Sequence, residues 1–174
     1  DDIIKPERVK KLDYEGELAI IIGEDCKYVG EGEAWDKVLG FTVANDVSAR
    51  DVQFKDRQWT RGKSYDTFAP LGPWIVTKDE IDDPYSLRIV TKVNGKILQD
   101  GSTSNMILPI EKVISILSEG MTLKAGDVIS TGTPSGVGFA REPPLFLKEG
   151  DVVEVSISDV GSIRNRVKGE IWGD

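Results

Sequence analysis

Glu15 and Glu17, one residue apart, are the first pair in this chain whose spacing could do chemistry. On a strand, positions i and i+2 share a face about 7 Å apart, so both carboxylates would converge on one spot. Gly16 between them leaves the opposite face bare and admits a close neighbour. A solvated edge strand with two harmless acids would carry the same triplet. The apolar run Leu18–Ile22 follows directly, however, and takes the strand inward. Burying two acids without a cation costs several kcal/mol. Asp46 closes a second apolar stretch, Val38–Ala44, and so places a third acid at the carboxyl end of a buried strand. Three carboxylates without an imidazole make a hard oxygen site. It suits magnesium or manganese, admits calcium, and does not suit zinc. Against a divalent cation the three acids still leave an excess of negative charge, so an anionic substrate needs a further cation nearby. Lys63 is the candidate, with Arg50 and Arg61 behind it. Taken singly, each of these is more often a surface charge.

A glycine-rich turn, Thr131-Gly132-Thr133-Pro134-Ser135-Gly136-Val137-Gly138, follows a β-branched stretch. Such turns expose backbone N–H groups that can hold a carboxylate or phosphate. A tight turn with no ligand accounts for it equally well. It lacks the Lys-Ser/Thr of a P-loop and the spacing of a dinucleotide fingerprint. The chain contains no histidine, which removes the commonest general base and zinc ligand and excludes a Ser-His-Asp triad within it. Cys26 stands alone, so neither a disulfide framework nor a thiolate metal site is available. A reducing, cytoplasmic setting fits, and no signal peptide is visible. The net charge of −8 argues against a nucleic-acid partner, which needs a basic face. No apolar run approaches the roughly 20 residues of a membrane span.

The elements that must position these residues are mostly strands. At 174 residues the chain is expected to form one catalytic domain with a real core. Leu12–Ile22 begins with alternation and ends as a continuous apolar strand, and Phe41–Asn45 reads as another. Ala34–Val38 suits a helical turn. Asp51–Ala69 is polar, contains Gly62 and lacks clean periodicity, so a long functional loop is expected there. Trp74–Thr77 reads as a short strand. Leu87–Val93 and Lys96–Gln99 flank Asn94-Gly95, a strong hairpin signal. Pro109 suits the first position of a helix whose stripe is Ile110, Val113, Ile114 and Leu117, with Gly120 at its stop. Two Gly-Asp turns, at Gly126-Asp127 and Gly150-Asp151, each launch a β-branched strand. The last strands are expected at Val152–Ser158 and Ile163–Lys168. The fold class read from this pattern is α+β and β-dominated.

Read together, these residues resemble the fumarylacetoacetate hydrolase family. The matching pieces begin with Asp13-Tyr14-Glu15-Gly16-Glu17-Leu18-Ala19 and Ala44-Asn45-Asp46-Val47-Ser48-Ala49-Arg50-Asp51-Val52-Gln53. Trp59-Thr60-Arg61-Gly62-Lys63-Ser64-Tyr65-Asp66-Thr67-Phe68, Leu71-Gly72-Pro73-Trp74, Val93-Asn94-Gly95 and Thr131-Gly132-Thr133-Pro134 follow in the family's order. The resemblance implies a mixed β-roll or β-sandwich of that family's C-terminal domain type, usually a homodimer, with magnesium or manganese in the site. It matches Glu15, Glu17 and Asp46 to the metal ligands and Lys63 to the lysine facing the developing enolate. Gln53 and Thr133 match residues that contact the substrate's carbonyl and carboxylate oxygens, and Arg50 is counted with them as substrate-binding. The activity implied is metal-assisted enolate chemistry on a small keto acid. Isomerisation of a 2-hydroxyhepta-2,4-diene-1,7-dioate type of substrate is the first reading. Acylpyruvate- or fumarylacetoacetate-type hydrolysis and oxaloacetate decarboxylation are the alternatives, and a non-catalytic metal-binding module is the rival of another class. Family enzymes usually carry an upstream Asn-Tyr-x-x-His segment. Nothing here matches it, so that segment is expected to be missing from this chain, or hydrolysis is not the reaction.

Overall fold

The computed structural model describes residues 1–170. Strands β1 (Ile3–Lys5), β2 (Leu12–Asp13) and β3 (Gly16–Ile22) precede a one-turn helix α1 (Glu31–Ala34) and the long strand β4 (Val38–Asn45). The short strand β5 (Ser48–Ala49) leads into helices α2 (Arg50–Asp56) and α3 (Trp59–Lys63). Strand β6 (Leu71–Thr77), the hairpin of β7 (Arg88–Val93) and β8 (Lys96–Ser102), and helix α4 (Ile110–Gly120) follow. Strands β9 (Val128–Ser130), β10 (Val152–Ile157) and β11 (Gly161–Gly169) complete the order. No helix among the described residues is long and apolar enough to cross a membrane.

One sheet runs β1-β11-β10-β7-β8 and a second β6-β4-β3-β9, with β2 and β5 pairing separately. Neither sheet closes into a barrel. All the pairings are antiparallel except β1 with β11. Strands β3 and β4 lie against β7, β10 and β11, so the two larger sheets form a sandwich. All seven residues of β3 are buried, which is why its sequence reads as a continuous apolar run. Burial of Leu18, Ile20 and Ile22 contributes roughly 2 kcal/mol each. Gly16 lets the second sheet close on this strand: a Cβ there would lie 2.2 Å from Thr91 Oγ1 and 2.9 Å from Val155 Cγ1.

The Asn94-Gly95 hairpin forms as the sequence predicts, with positive φ at both residues. The helix expected from Pro109 onward also forms, over Ile110–Gly120, with Pro109 as its extended N-cap and not its first residue. The stretch expected as a long loop does not stay irregular, since it folds into α2 and α3. These helices escape the usual apolar signal because they bury polar groups. Arg50, Gln53 and Gly62 face inward, whereas Phe54 and Trp59 are exposed.

Candidate active site

Strand register brings the acids together. Gly16 pairs with Asn45, the Asp46 amide donates to the Glu15 carbonyl at 2.9 Å, and Asn45 Oδ1 accepts the Glu15 amide at 3.0 Å. Glu15 thus enters β3 at the end where Asp46 leaves β4. One carboxylate oxygen from each of Glu15, Glu17 and Asp46 lies within 4.8 Å of the others. Lys63, the last residue of α3, adds its ammonium to the group. Its Nζ donates to Glu15 Oε2 at 2.7 Å and also to Asp46 Oδ2. Helix α3 can deliver it because Gly62 packs directly on α2, where a Cβ would lie 2.9 Å from Gln53 Cβ.

Arg50 occupies a different place from the one expected of a substrate contact. It is 2% exposed, and its donors are spent on protein acceptors: Nε on Asp13 at 2.9 Å, Nη1 on Gln53 at 3.0 Å and Nη2 on Glu15 at 2.6 Å. The Phe139 ring covers the guanidinium at 4.5 Å and stacks edge-on with Phe54. Asp13, 0% exposed, also accepts the amides of Tyr14, Gly138 and Phe139 at 2.7–3.0 Å. The brace Asp13–Arg50–Glu15 therefore aims one carboxylate of the cluster from behind. Gln53, 2% exposed, supports Arg50 through its Oε1. Thr133 is half-buried, with its hydroxyl donating to the Gly16 carbonyl at 2.9 Å and accepting from Gln99 at 2.7 Å. Of the turn's N–H groups, that of Gly132 is spent on Glu17 Oε2 at 3.0 Å.

Asp13 and Gln99 carry structural roles that the sequence reading did not assign to them. For Asp13 a signal existed, since the acids at 13, 15 and 17 alternate as one series. Gln99 gave none. It sits in β8, far along the chain, yet it joins the Gly16 amide to Thr133 and Pro134.

Burial dominates the electrostatics. It pushes Glu17, 3% exposed, up to about 7, against the opposing pull of Ser130 and the Gly132 amide. Burial raises Asp46 as well, against the neighbouring Lys63 ammonium. For Lys63, burial works to lower the pKa, but the bonds to Asp46 and Glu15 outweigh it and hold the amine above its ordinary range, so it stays charged. Among the described residues, the four acids Asp13, Glu15, Glu17 and Asp46 meet two cations, Arg50 and Lys63, which leaves an excess of acidic groups. A divalent cation would neutralise that excess, and an all-carboxylate donor set suits a hard one. Glu15, Glu17 and Asp46 are the residues that would hold it.

Two results are expected from this geometry. Arg50→Lys keeps the charge but loses the fork that reaches three acceptors, and should cost about 1–2 kcal/mol of stability. Urea unfolding would show a lower midpoint at unchanged slope; an unmoved midpoint would mean that the brace carries no strain-free advantage over a point charge. The second result concerns Glu17. A carboxyl raised from 4.5 to about 7 binds its proton more tightly in the folded state. Its contribution to metal-free stability is therefore present below pH 4.5 and lost as pH rises through about 7. A divalent ion needs the carboxylate, so binding should release about one proton below that pH and weaken about tenfold per unit of acidification. Calorimetry of magnesium or manganese binding in buffers of different ionisation enthalpy would count it. Zero protons released at mildly acidic pH would remove Glu17 from the ligand set.

The chain matches, over residues 1–168, the family described as fumarylacetoacetate (FAA) hydrolase, C-terminal. An oxaloacetate tautomerase of Bacillus subtilis is 46% identical over 168 residues, covering 95% of this chain and 56% of that protein. A fumarylacetoacetate hydrolase from psychrophilic Exiguobacterium antarcticum superposes with a TM-score of 0.93 at 46% identity, over 97% of this chain and 61% of the other. A 2-hydroxyhepta-2,4-diene-1,7-dioate isomerase from Mycobacterium marinum gives a TM-score of 0.89 at 44% identity, over 97% of this chain and 63% of the other. The chain thus spans less than two thirds of the length of these relatives. With the family's pattern running along nearly all of it, on a strand-rich α+β fold that coincides with solved members, this chain belongs to the fumarylacetoacetate hydrolase family.

Proposed function

We propose that this chain carries the catalytic centre of a divalent-metal-dependent isomerase that moves a proton between the enol and keto forms of a small dicarboxylic keto acid. The observation that carries this reading is the convergence of a charged Lys63 with three carboxylates. Similarity to an oxaloacetate tautomerase and to a 2-hydroxyhepta-2,4-diene-1,7-dioate isomerase supports the substrate class. Both names describe proton relocation through an enol, which asks less of the protein than C–C cleavage does.

A divalent ion held by Glu15, Glu17 and Asp46 would supply Lewis acidity toward the substrate's keto oxygen. The chain's own residues do the rest. Glu15 is aimed by Arg50, which Asp13 and Gln53 hold in turn. Lys63 stands at the cluster as a permanent cation and donates toward oxygen where enolate charge develops. Ketonisation then needs the enol O–H to lose its proton and the neighbouring carbon to gain one, and solvent serves as the donor to carbon. Hydrolysis would further require a base to activate water, for which these residues offer only Lys63 and carboxylates.

The test follows the ultraviolet absorbance of freshly dissolved enol oxaloacetate as it decays to the ketone, with manganese present and with the metal removed. Metal-dependent acceleration well above the buffer rate is expected, and acetylpyruvate should be cleaved at background rate. Brisk acetylpyruvate cleavage without tautomerase activity would overturn the assignment in favour of hydrolysis. Isomerisation of a 2-hydroxy-dienedioate, measured in parallel, decides which of the two keto diacids fits.

A further inference from the structure

Acidic side chains outnumber basic ones 30 to 22 in this chain, yet one cavity reverses the balance. Lys5, Lys10, Lys96, Arg141 and Lys148 line a space of about 770 Å³ in which, among the described residues, Glu142 is the lone acid. Such a volume is in the range of small-molecule sites, and Leu98, Leu145 and Phe146 give it an apolar wall. Elsewhere on the surface some cations, such as Arg88, Lys112 and Lys124, each meet a carboxylate, on Asp100, Glu31 and Asp25, and others, such as Lys55 and Arg57, do not. Among the described residues, none of the five cations in the cavity forms an ion pair.

Arg141 makes the arrangement more than a patch of mobile lysines. It is half-buried, and its guanidinium is held entirely by neutral acceptors. Nε donates to Tyr14 Oη at 3.2 Å and to the Gly136 carbonyl at 3.1 Å, and Nη2 donates to the Leu98 carbonyl. A cation partly withdrawn from water without a counter-charge is costly on its own. Fixed in place beside ammonium groups without a carboxylate partner, of which Lys10 donates to the Glu7 carbonyl at 2.7 Å, it creates a local positive potential on an acidic protein. The cavity is also separate from the carboxylate cluster. Tyr14 meets Arg141, whereas the next residue, Glu15, turns to Arg50 and Lys63.

We propose that this cavity binds a small oligoanion, a phosphate or polycarboxylate compound with at least two negative charges and an apolar part resting on Leu98 and Phe146. Lysines act as point charges toward such groups, and the half-buried Arg141 supplies the fixed donor. No divalent ion is needed.

Isothermal titration tests this on the whole chain, stripped of divalent ions on a chelating resin. Inorganic pyrophosphate and citrate are titrated in separate arms, at low and at raised salt. Saturable binding in the sub-millimolar range is expected in at least one arm, weakened by salt. The double variant Lys96→Glu/Lys148→Glu should weaken it at least about tenfold by replacing attraction with repulsion. Binding in one arm alone would support the proposal and identify the charged group. No saturable binding in either arm, or binding unmoved by the double variant, would overturn it. Circular dichroism checks that the double variant folds, and Lys148→Ala, expected to weaken binding several-fold, repeats the test with a milder change. Asp46→Ala should leave this binding intact, so failure of the metal site and failure of this cavity are read separately.

Discussion

Lys63→Met should lower kcat for oxaloacetate tautomerisation by about two orders of magnitude, the usual cost of removing a donor to a developing oxyanion. Lys63 is held by Glu15 and Asp46 and kept above its ordinary pKa, so it is a cation at every working pH. It contributes one positive charge where enolate charge would form. Methionine keeps most of the length and the apolar stem but has no donor. KM should change less than kcat, because the interaction strengthens as charge develops rather than in the resting substrate. Affinity for manganese should not fall, since Lys63 is no ligand and its removal takes away a cation that shares two of the ligand carboxylates. Calorimetric manganese binding and steady-state kinetics on one preparation separate the possibilities. Unchanged kcat would return Lys63 to the status of a structural counter-ion. Collapse of manganese binding would show that it holds the carboxylates rather than the substrate's oxygen.

Asp46→Ala should abolish thermal stabilisation by divalent ions. Glu15, Glu17 and Asp46 converge within 4.8 Å, and burial already strains the ionised forms of Glu17 and Asp46. A cation that binds only the folded state adds RT ln(1 + [L]/Kd), about 2.7 kcal/mol at a hundredfold excess over Kd. For a domain of this size that raises Tm by roughly 5–10 °C. Without Asp46 two carboxylates remain, one on either side of Gly16, and the site loses the contribution from β4. Differential scanning with magnesium, manganese and a chelator gives the answer. A wild-type midpoint indifferent to both metals would remove the site altogether. A shift that survives in Asp46→Ala would mean that another oxygen completes it. Because the Lys63 variant is read by kcat and this one by Tm, the two roles can fail independently.

The local features of the site could be read from the sequence because they repeat within a few residues. The alternation of acids and the apolar runs after Glu17 and before Asp46 report which faces are buried, and strand geometry carries that information along the chain. Asn94-Gly95 and Pro109 act through their own backbone preferences, so the hairpin and α4 were likewise legible. Convergence of Glu15 with Asp46 was inferable only as a possibility of chemistry, since the register of β3 on β4 settles which strand ends meet.

Arg50 and Lys63 show where sequence reading stops. In the sequence both are basic residues shortly after the third acid, with Lys63 the first candidate to face a ligand and Arg50 behind it. Pairing of β2 with β5 sets Leu12 opposite Ala49 and Asp13 opposite Ser48, which brings Arg50 over Asp13 and buries it behind Glu15. Packing of Gly62 on Gln53 turns Lys63 the other way, into the cluster. Helices α2 and α3 stayed hidden for the same reason: their inward faces are polar and find their partners on Asp13 of β2, on Glu15 just before β3 and on Asp46 just after β4. Residue type and spacing thus determined which groups could hold a cation and steady an enolate. Contacts between residues 13 and 50, 15 and 63, and 46 and 63 decided which of them come together, because buried charges settle where partners distant in sequence can compensate them.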